Sequence, residues 1–295
     1  MQRISIVGLG LIGGSTGLGL RAWSAANGNT LEITGFDTDL AQQQYAKKIK
    51  AVDRTAWQLA QAVKDADIVI VSTPVMAMRE TFTDIAPHLK AGAVVTDTGS
   101  TKTQVLAWAD ELLPRTVNFV GGHPMAGSHE RGLAHAAAGL FRDSPYALIG
   151  GGPGQRGLDA IALRLIIEAV RALGARPVVI SAERHDRAVA AISHAPQLLS
   201  TALALLAADA GDGTLARLAG AGFADMTRLA AGHWSVWEDI CATNGDEIAG
   251  ELGRVIALLE SLRDELAAGR VEQTGRAFRR AAAFVRGLHG GDQTS

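Results

Sequence analysis

Arg3-Ile-Ser-Ile-Val-Gly-Leu-Gly-Leu-Ile-Gly13 decides the fold. Residues 3–7 are a short β-rich run that leads directly into Gly8-Leu9-Gly10-Leu11-Ile12-Gly13, and a helix is expected from Leu11 to about Ala26. A G-x-G-x-x-G string alone is weak, but with a strand before it and a helix after it, it reads as a dinucleotide-binding turn. Gly8 permits the tight turn, Gly10 lets the backbone reach a pyrophosphate, and Gly13 lets helix and strand pack closely. The helix N-terminus attracts the phosphate charge. Gly8, Gly10, Leu11, Ile12 and Gly13 are therefore candidate cofactor residues. An ordinary strand-to-helix turn is the competing reading. Leu31-Glu-Ile-Thr-Gly-Phe-Asp37 weighs against it, a second strand ending in an acid. Asp37 follows Gly13 at close to the roughly 20-residue spacing of a carboxylate that holds the adenosine ribose. A carboxylate there repels a 2′-phosphate, so NAD is favoured over NADP. Asp39 is the natural cap of the next helix, which leaves Asp37 for the ribose.

Working outward, Asp65-Ala-Asp-Ile-Val-Ile-Val-Ser-Thr-Pro74 has the continuous apolar run of a buried parallel strand. Ligands in open α/β sheets sit beyond the carboxyl ends of strands, so Ser72, Thr73 and Pro74 are candidates to line the cofactor. Ala93-Val-Val-Thr-Asp-Thr-Gly-Ser100 repeats the pattern, with a helix expected from about Thr101. Ser100 and Thr101 read equally well as N-caps. Asn118–His123, Pro145–Ile149 and Arg176–Ile180 are further strands. This alternation predicts an α/β fold, an N-terminal Rossmann-type doubly wound parallel sheet over residues 1–181.

Val120-Gly-Gly-His-Pro-Met-Ala-Gly-Ser128 pins a histidine between a diglycine and a proline. Gly121 and Gly122 let the backbone turn sharply and let a partner approach, while Pro124 pushes His123 toward an extended conformation. Histidine changes protonation near neutral pH, which suits proton transfer. A Gly/Pro-rich turn with an incidental histidine is the plain alternative.

After Ser181 the pattern changes to alanine-rich helices: Arg184 to Ala208 with a kink at Pro196, Thr214 to about Ala231 interrupted at Gly220-Ala-Gly222, Asp246 to Ala268, and Val271 to Leu288. Residues 182–295 are thus expected to be an all-α C-terminal domain. His185, His194 and His233 each read first as structural residues, and Trp234 and Trp237 as packing. The net charge of -2 leaves no basic footprint for nucleic acid or anionic membrane. A single cysteine, Cys241, fits a reducing compartment. The first strand at Arg3 leaves no room for a signal peptide, and no uninterrupted apolar run reaches the roughly 20 residues of a bilayer span. The expectation is a cytoplasmic protein. No Cys/His/acid cluster has metal spacing, and no metal is expected.

Four stretches in order, Gly8-Leu-Gly-Leu-Ile-Gly-Gly-Ser15, Asp97-Thr-Gly-Ser-Thr-Lys102, Gly122-His-Pro-Met-Ala-Gly-Ser128 and Ser193-His-Ala-Pro-Gln197, followed by Gly222-Phe-Ala-Asp-Met-Thr-Arg228, resemble the prephenate and arogenate dehydrogenases of tyrosine biosynthesis. The first motif is generic to dinucleotide enzymes, and the later four in that order are specific. The resemblance implies an NAD-dependent oxidoreductase that oxidatively decarboxylates prephenate or arogenate, and a homodimer formed through the helical domain. It places Ser100 and His123 at the substrate's ring hydroxyl, Arg228 on a substrate carboxylate, His194 in the active-site wall, and Ser128 among the substrate-binding residues. Many relatives carry a second histidine where this chain has Gln197, and some carry an acid on a gating loop where His129 stands. Both positions face the substrate side chain in the family, so they bear on prephenate versus arogenate.

Two other classes compete. A β-hydroxyacid dehydrogenase uses a lysine on the first long helix of the second domain, and Arg184 to Ala208 contains none. A non-catalytic NAD-sensing protein gives Ser100, His123 and Arg228 no reason to occur together.

Overall fold

A computed structural model describes residues 2–127, 130, 132–150, 159–211 and 213–290. Strand β1 (Gln2–Val7) ends at Gly8, and helix α1 (Leu11–Asn27) follows at once. Then come β2 (Leu31–Phe36), α2 (Leu40–Lys48), the short β3 (Arg54–Thr55), α3 (Leu59–Val63), β4 (Ile68–Val71) and α4 (Ala77–Ile85). They are followed by β5 (Val94–Asp97), α5 (Thr103–Leu112), β6 (Asn118–Pro124), β7 (Pro145–Ile149), α6 (Ala160–Ala172) and β8 (Arg176–Ile180). The strands form one sheet in the order β3-β2-β1-β4-β5-β6-β7-β8. Strand order reverses where β1 lies between β2 and β4, and the carboxyl ends beside that reversal are where such sheets hold ligands.

Every residue of β4 is buried, because both faces of the sheet are covered. Ile68 and Ile70 pack with Leu20 of α1, Ala46 of α2 and Ile166 and Val170 of α6. Val69 and Val71 pack on the other face with Met78, Phe82 and Ile85 of α4 and Val105 and Trp108 of α5. Burying side chains of this size contributes about 1.5–3 kcal/mol each, which fixes the register of the strand ends.

The sheet is not wholly parallel. β7 runs antiparallel to β6, pairing Gly122 with Leu148 and His123 with Ala147, and β8 then runs parallel to β7. A parallel return needs a crossover element. Among the described residues, the β6–β7 connection holds only a 3₁₀ turn at Leu133–His135, whereas α6 supplies the crossover from β7 to β8. The diglycine therefore makes no turn: Gly121 and Gly122 lie inside an extended strand.

The helices that follow are α7 (Ala182–Val189), a π-helical turn at Ala190–His194, α8 (Ala195–Asp209), α9 (Thr214–Leu218) and α10 (Ala221–Thr227). A 3₁₀ turn at Arg228–Ala231, α11 (Trp234–Ala267) and α12 (Val271–Gly290) complete the chain. The irregular turn expected at Pro196 falls just before it, at residues 190–194. α11 begins at Trp234 rather than Asp246, and it leaves helical geometry at Asn244 (φ -135°, ψ 20°). By compactness the chain forms two units, Met1–Gly245 and Asp246–Ser295. One further expectation changes. Ala182–Asp209 is a 28-residue helical run, long and apolar enough to cross a bilayer by length and composition alone, a test that core helices of soluble proteins also pass. Pro196 does not interrupt it. Its buried His185, Asp186, His194, Gln197 and Ser200 all form hydrogen bonds within the protein.

Candidate active site

A cleft of about 830 Å³ lies along the carboxyl ends of β1, β2, β4 and β5. Gly8, Gly10, Leu11, Ile12, Asp37, Ser72, Thr73, Pro74 and Ser100 all line it, as do Ser235, Asp239 and Ile240 of α11. Gly8 has φ 93°, and a Cβ there would lie 2.6 Å from the Ser72 carbonyl oxygen, so only glycine lets the β1 and β4 ends approach. Gly13 does not line the cleft; its missing Cβ lets α1 pack on the Gly8 carbonyl. A Cβ on Gly10 would meet nothing within 4 Å, and no side chain caps α1. The first-turn N–H groups therefore face space that suits a diphosphate. Thr73 Oγ1 is buried without a protein partner beside this space. The residues present thus fit a dinucleotide.

Asp37 is held in place by its neighbours: Leu9 N–H donates to Oδ2 (2.7 Å) and Asp39 N–H to Oδ1 (2.9 Å). Asp39 caps α2, accepting from Ala41 N–H at 2.8 Å. Asp39, not Asp37, is the cap of this helix. Glu80 and Asp84 of α4 also line the cleft, two carboxylates that no motif in the sequence singles out.

The chemistry is organised around Asp97, at the end of β5. Its Oδ1 accepts from Gly122 N–H (3.0 Å) and its Oδ2 from Gly99 N–H (2.7 Å). One carboxylate thus holds the backbone immediately before both Ser100 and His123. Lys102 forms an ion pair with Asp97 and donates to the Gly122 carbonyl (2.8 Å). Both side chains are fully buried. Burial pushes the Lys102 ammonium down from its ordinary value, and the Asp97 charge works against that. A methyl group at Gly122 would overlap the Asp97 carbonyl oxygen. Close approach is therefore what the diglycine provides.

His123 Nδ1 lies 2.9 Å from His185 Nε2, and His185 Nδ1 lies 2.8 Å from Asp186 Oδ1. Burial alone would raise the Asp186 pKa, but hydrogen bonds from His185, Thr103 and Lys102 hold it below the usual carboxylate value. An ionised carboxylate only accepts, so His185 carries its proton on Nδ1 and presents a bare Nε2. His123 then donates from Nδ1, and its Nε2 is left as the basic atom. Burial first, and then the charges of His185, Lys102 and His194, hold His123 well below an ordinary histidine, so it rests neutral. Asp186 also accepts from Lys102 N–H (2.8 Å) and Thr103 N–H (2.7 Å). It caps α5 in place of Ser100 or Thr101. Thr101 Oγ1 instead meets Thr243 Oγ1 at 2.8 Å, and Ser100 stands in the cleft wall.

His194 sits behind this chain. Asn244, at the irregular point of α11, donates from Nδ2 to the Asp186 carbonyl (2.9 Å) and to His194 Nδ1 (3.2 Å). His194 packs edge-on against Trp237 at 5.9 Å. Burial, opposed by Asp186 and assisted by His185, brings its pKa down to about 4. Among the described residues no group of three or more His, Cys, Asp or Glu side chains is placed to hold a metal ion.

Family models match the chain in two consecutive pieces: "Prephenate dehydrogenase, nucleotide-binding domain" over residues 20–179 and "Prephenate dehydrogenase, dimerization domain" over 181–280. The first match begins after the glycine string and so does not depend on it. The chain belongs to the prephenate dehydrogenase family. It is 33% identical to the prephenate dehydrogenase of Bacillus subtilis over 97% of this chain and 76% of that protein. Among solved structures, the Aquifex aeolicus prephenate dehydrogenase in complex with hydroxyphenyl propionate and NAD+ superposes with a TM-score of 0.89 at 25% identity, covering 98% of each chain. The Synechocystis arogenate dehydrogenase gives 0.84 at 27% identity, covering 97% of this chain and 100% of that one.

In this member of the prephenate dehydrogenase family, four of the expected substrate residues stand apart from the cleft or outside the described residues. Arg228 is exposed on the 3₁₀ turn and does not line the cleft. Gln197 is buried, with its amide turned onto the Leu229 carbonyl (2.7 Å). Ser128 and His129 lie outside the described residues. Sequence reasoning missed His185, Asp186 and Asn244. The adjacent His185-Asp186 pair was the one visible signal, since an acid beside a histidine is a means of fixing its tautomer.

Proposed function

We propose that the chain catalyses the NAD-dependent oxidative decarboxylation of prephenate to 4-hydroxyphenylpyruvate, with conversion of arogenate to tyrosine as the variant reaction of the same site. The observation that carries this reading is the Asp186–His185–His123 hydrogen-bond chain, which supports a neutral His123 with Nε2 as its basic atom. NAD+, when bound, accepts the hydride that leaves the hydroxyl-bearing ring carbon. His123 Nε2 takes the hydroxyl proton as the carbonyl forms, and the Ser100 hydroxyl fixes the geometry of that hydrogen bond. His185 then shares the positive charge gained by His123, and the Asp186 carboxylate stabilises it. Carbon dioxide leaves as the ring becomes aromatic, and its bonding electrons end on the ring oxygen. That oxygen recovers the proton from His123, so no net proton is released. Arg228 supplies a two-pronged contact to a substrate carboxylate, and Ser128, His129 and His194 shape the substrate side. Asp37, with the α1 N-terminus, selects NAD.

Residues 1–181 form the nucleotide half and 182–295 the substrate and dimerisation half of this scheme. A homodimer is supported by apolar side chains exposed on the helices, among them Leu205, Leu206, Phe223 and Met226, which need a partner surface. A cytoplasmic location is supported by the single free cysteine. The test is NADH formation with prephenate and arogenate assayed side by side, using both NAD and NADP. Absence of turnover with both substrates would remove the assignment.

A further inference from the structure

Gln197 and Ser200 lie on one face of α8 at the i, i+3 spacing that makes neighbours on a helix. They are 7% and 2% exposed. Gln197 Nε2 donates to the Leu229 carbonyl oxygen (2.7 Å), and Ser200 Oγ accepts from the Ala230 N–H (3.0 Å). These are the two polar ends of a single peptide unit. A peptide unit is planar and rigid, so gripping both ends fixes the orientation of the plane as well as its position. The gripped plane begins one residue after Arg228. The Leu229 carbonyl also accepts from Gly232 N–H (2.9 Å), which closes the 3₁₀ turn around the same atom. A Cβ on Gly232 would crowd Trp237 Nε1 (3.0 Å), the Leu229 carbonyl oxygen (3.1 Å) and Gln197 Nε2 (3.2 Å), so a side chain there would press on the same contact.

A buried amide on an alanine- and leucine-rich helix is unfavourable unless its hydrogen bonds are used. Leucine would fill the same volume without that penalty. The amide is spent on the turn that carries Arg228, and the Arg228 side chain is exposed. We propose that Gln197 and Ser200 are positioning residues that hold the Arg228 turn so that its guanidinium meets a substrate carboxylate. This inference rests on the role given to Arg228 above. It replaces direct substrate contact by Gln197 with action through the arginine.

The experiment is a double-mutant cycle on prephenate kinetics in the full-length enzyme, with NAD affinity as the control for folding. Arg228→Ala raises the prephenate KM by roughly 10- to 150-fold, the value of a hydrogen bond to a charged group. Gln197→Leu and Ser200→Ala each raise it by roughly 2- to 12-fold, the value of one ordinary hydrogen bond, with kcat kept. Gln197→Glu, equal in size but with an ionised oxygen facing the Leu229 carbonyl in place of the N–H donor, raises KM at least as much as Gln197→Leu at neutral pH. In the Arg228→Ala background none of the three adds a further loss, because their effect passes through the arginine. If Gln197→Leu perturbs NAD binding, Ser200→Ala decides, since it removes only one oxygen. A KM unchanged in both Gln197→Leu and Ser200→Ala overturns the inference, and so does a loss that persists in full without Arg228. If Arg228→Ala itself leaves KM unchanged, the role of the arginine fails and the inference fails with it.

Discussion

Replacing His185 with phenylalanine tests the proton chain at its middle link. The ring of His185 meets His123 edge-on at 5.1 Å, and phenylalanine keeps that shape while removing both nitrogens. His123 Nδ1–H then loses its acceptor. A buried donor left without a partner is unfavourable by about 1–3 kcal/mol. That penalty falls on the Nδ1–H tautomer, the one with a basic Nε2, and shifts the population toward Nε2–H. At about 1.4 kcal/mol per factor of ten, the base-competent fraction falls roughly 5- to 150-fold. Both kcat and kcat/KM for prephenate drop by that factor, while NAD affinity is kept because the cleft glycines and Asp37 are untouched. The pH profile moves too. Wild-type kcat/KM falls as pH drops through the lowered His123 pKa. Removing His185 moves this acid limb, because it takes away both the acceptor that steadies protonated His123 and the charge that opposes it. Burial, the larger cause, remains together with Lys102 and His194, so the limb stays below the ~6.5 of an ordinary histidine. The assay is steady-state NADH formation across pH in both enzymes. A His185→Phe enzyme within about twofold of wild type in kcat/KM, with an unmoved acid limb, refutes the tautomer argument.

Asp37→Ser weakens NAD use, but it gains little NADP use while Glu80 and Asp84 still line the cleft; kcat/KM for the two cofactors measures this, and a full switch from the single change contradicts it. Lys102→Met leaves Asp97 buried and unpaired, so denaturant unfolding should show a loss of about 3–5 kcal/mol. Acid weakens the fold through His194, whose pKa is about 4 in the folded protein and ~6.5 unfolded. The unfolded chain therefore binds more protons between these values. Stability is full above about pH 6.5 and falls on the order of 3 kcal/mol by about pH 4. Asp186, also held below its ordinary value, adds to the loss at the acid end. Equal unfolding midpoints at both ends of that range would exclude the effect.

The nucleotide half was legible because its signals are local. β4 is a continuous apolar run since both its faces are covered, and Asp37 and Asp39 take separate roles through bonds to residues close by in space and chain. The direction of β7 was hidden because it depends on what the β6–β7 connection contains rather than on the strand's own residues. The cap of α5 was hidden for another reason. Ser100 and Thr101 stand where a local cap belongs, but the N–H groups are taken by Asp186, 83 residues away from Thr103. His185 looked like any helical histidine until β6 was seen to bring His123 to it. Gln197 stood out as a departure from the family pattern, and only the packing of α8 against the Arg228 turn shows where its amide points.

The reach of Asp186 across the chain also limits how modular this enzyme can be. The two family models meet between residues 179 and 181, and a cut there separates the sheet and its covering helices α1–α6 from the helices that follow. It also removes the acceptor for two N–H groups of α5 and the partner that sets the proton on His123. A nucleotide half grafted onto a foreign helical half inherits a cofactor cleft but an undirected base. Recombination with a helical half that lacks this pair should therefore keep activity only when the crossover falls beyond α7, so that His185 and Asp186 travel with the histidine they orient.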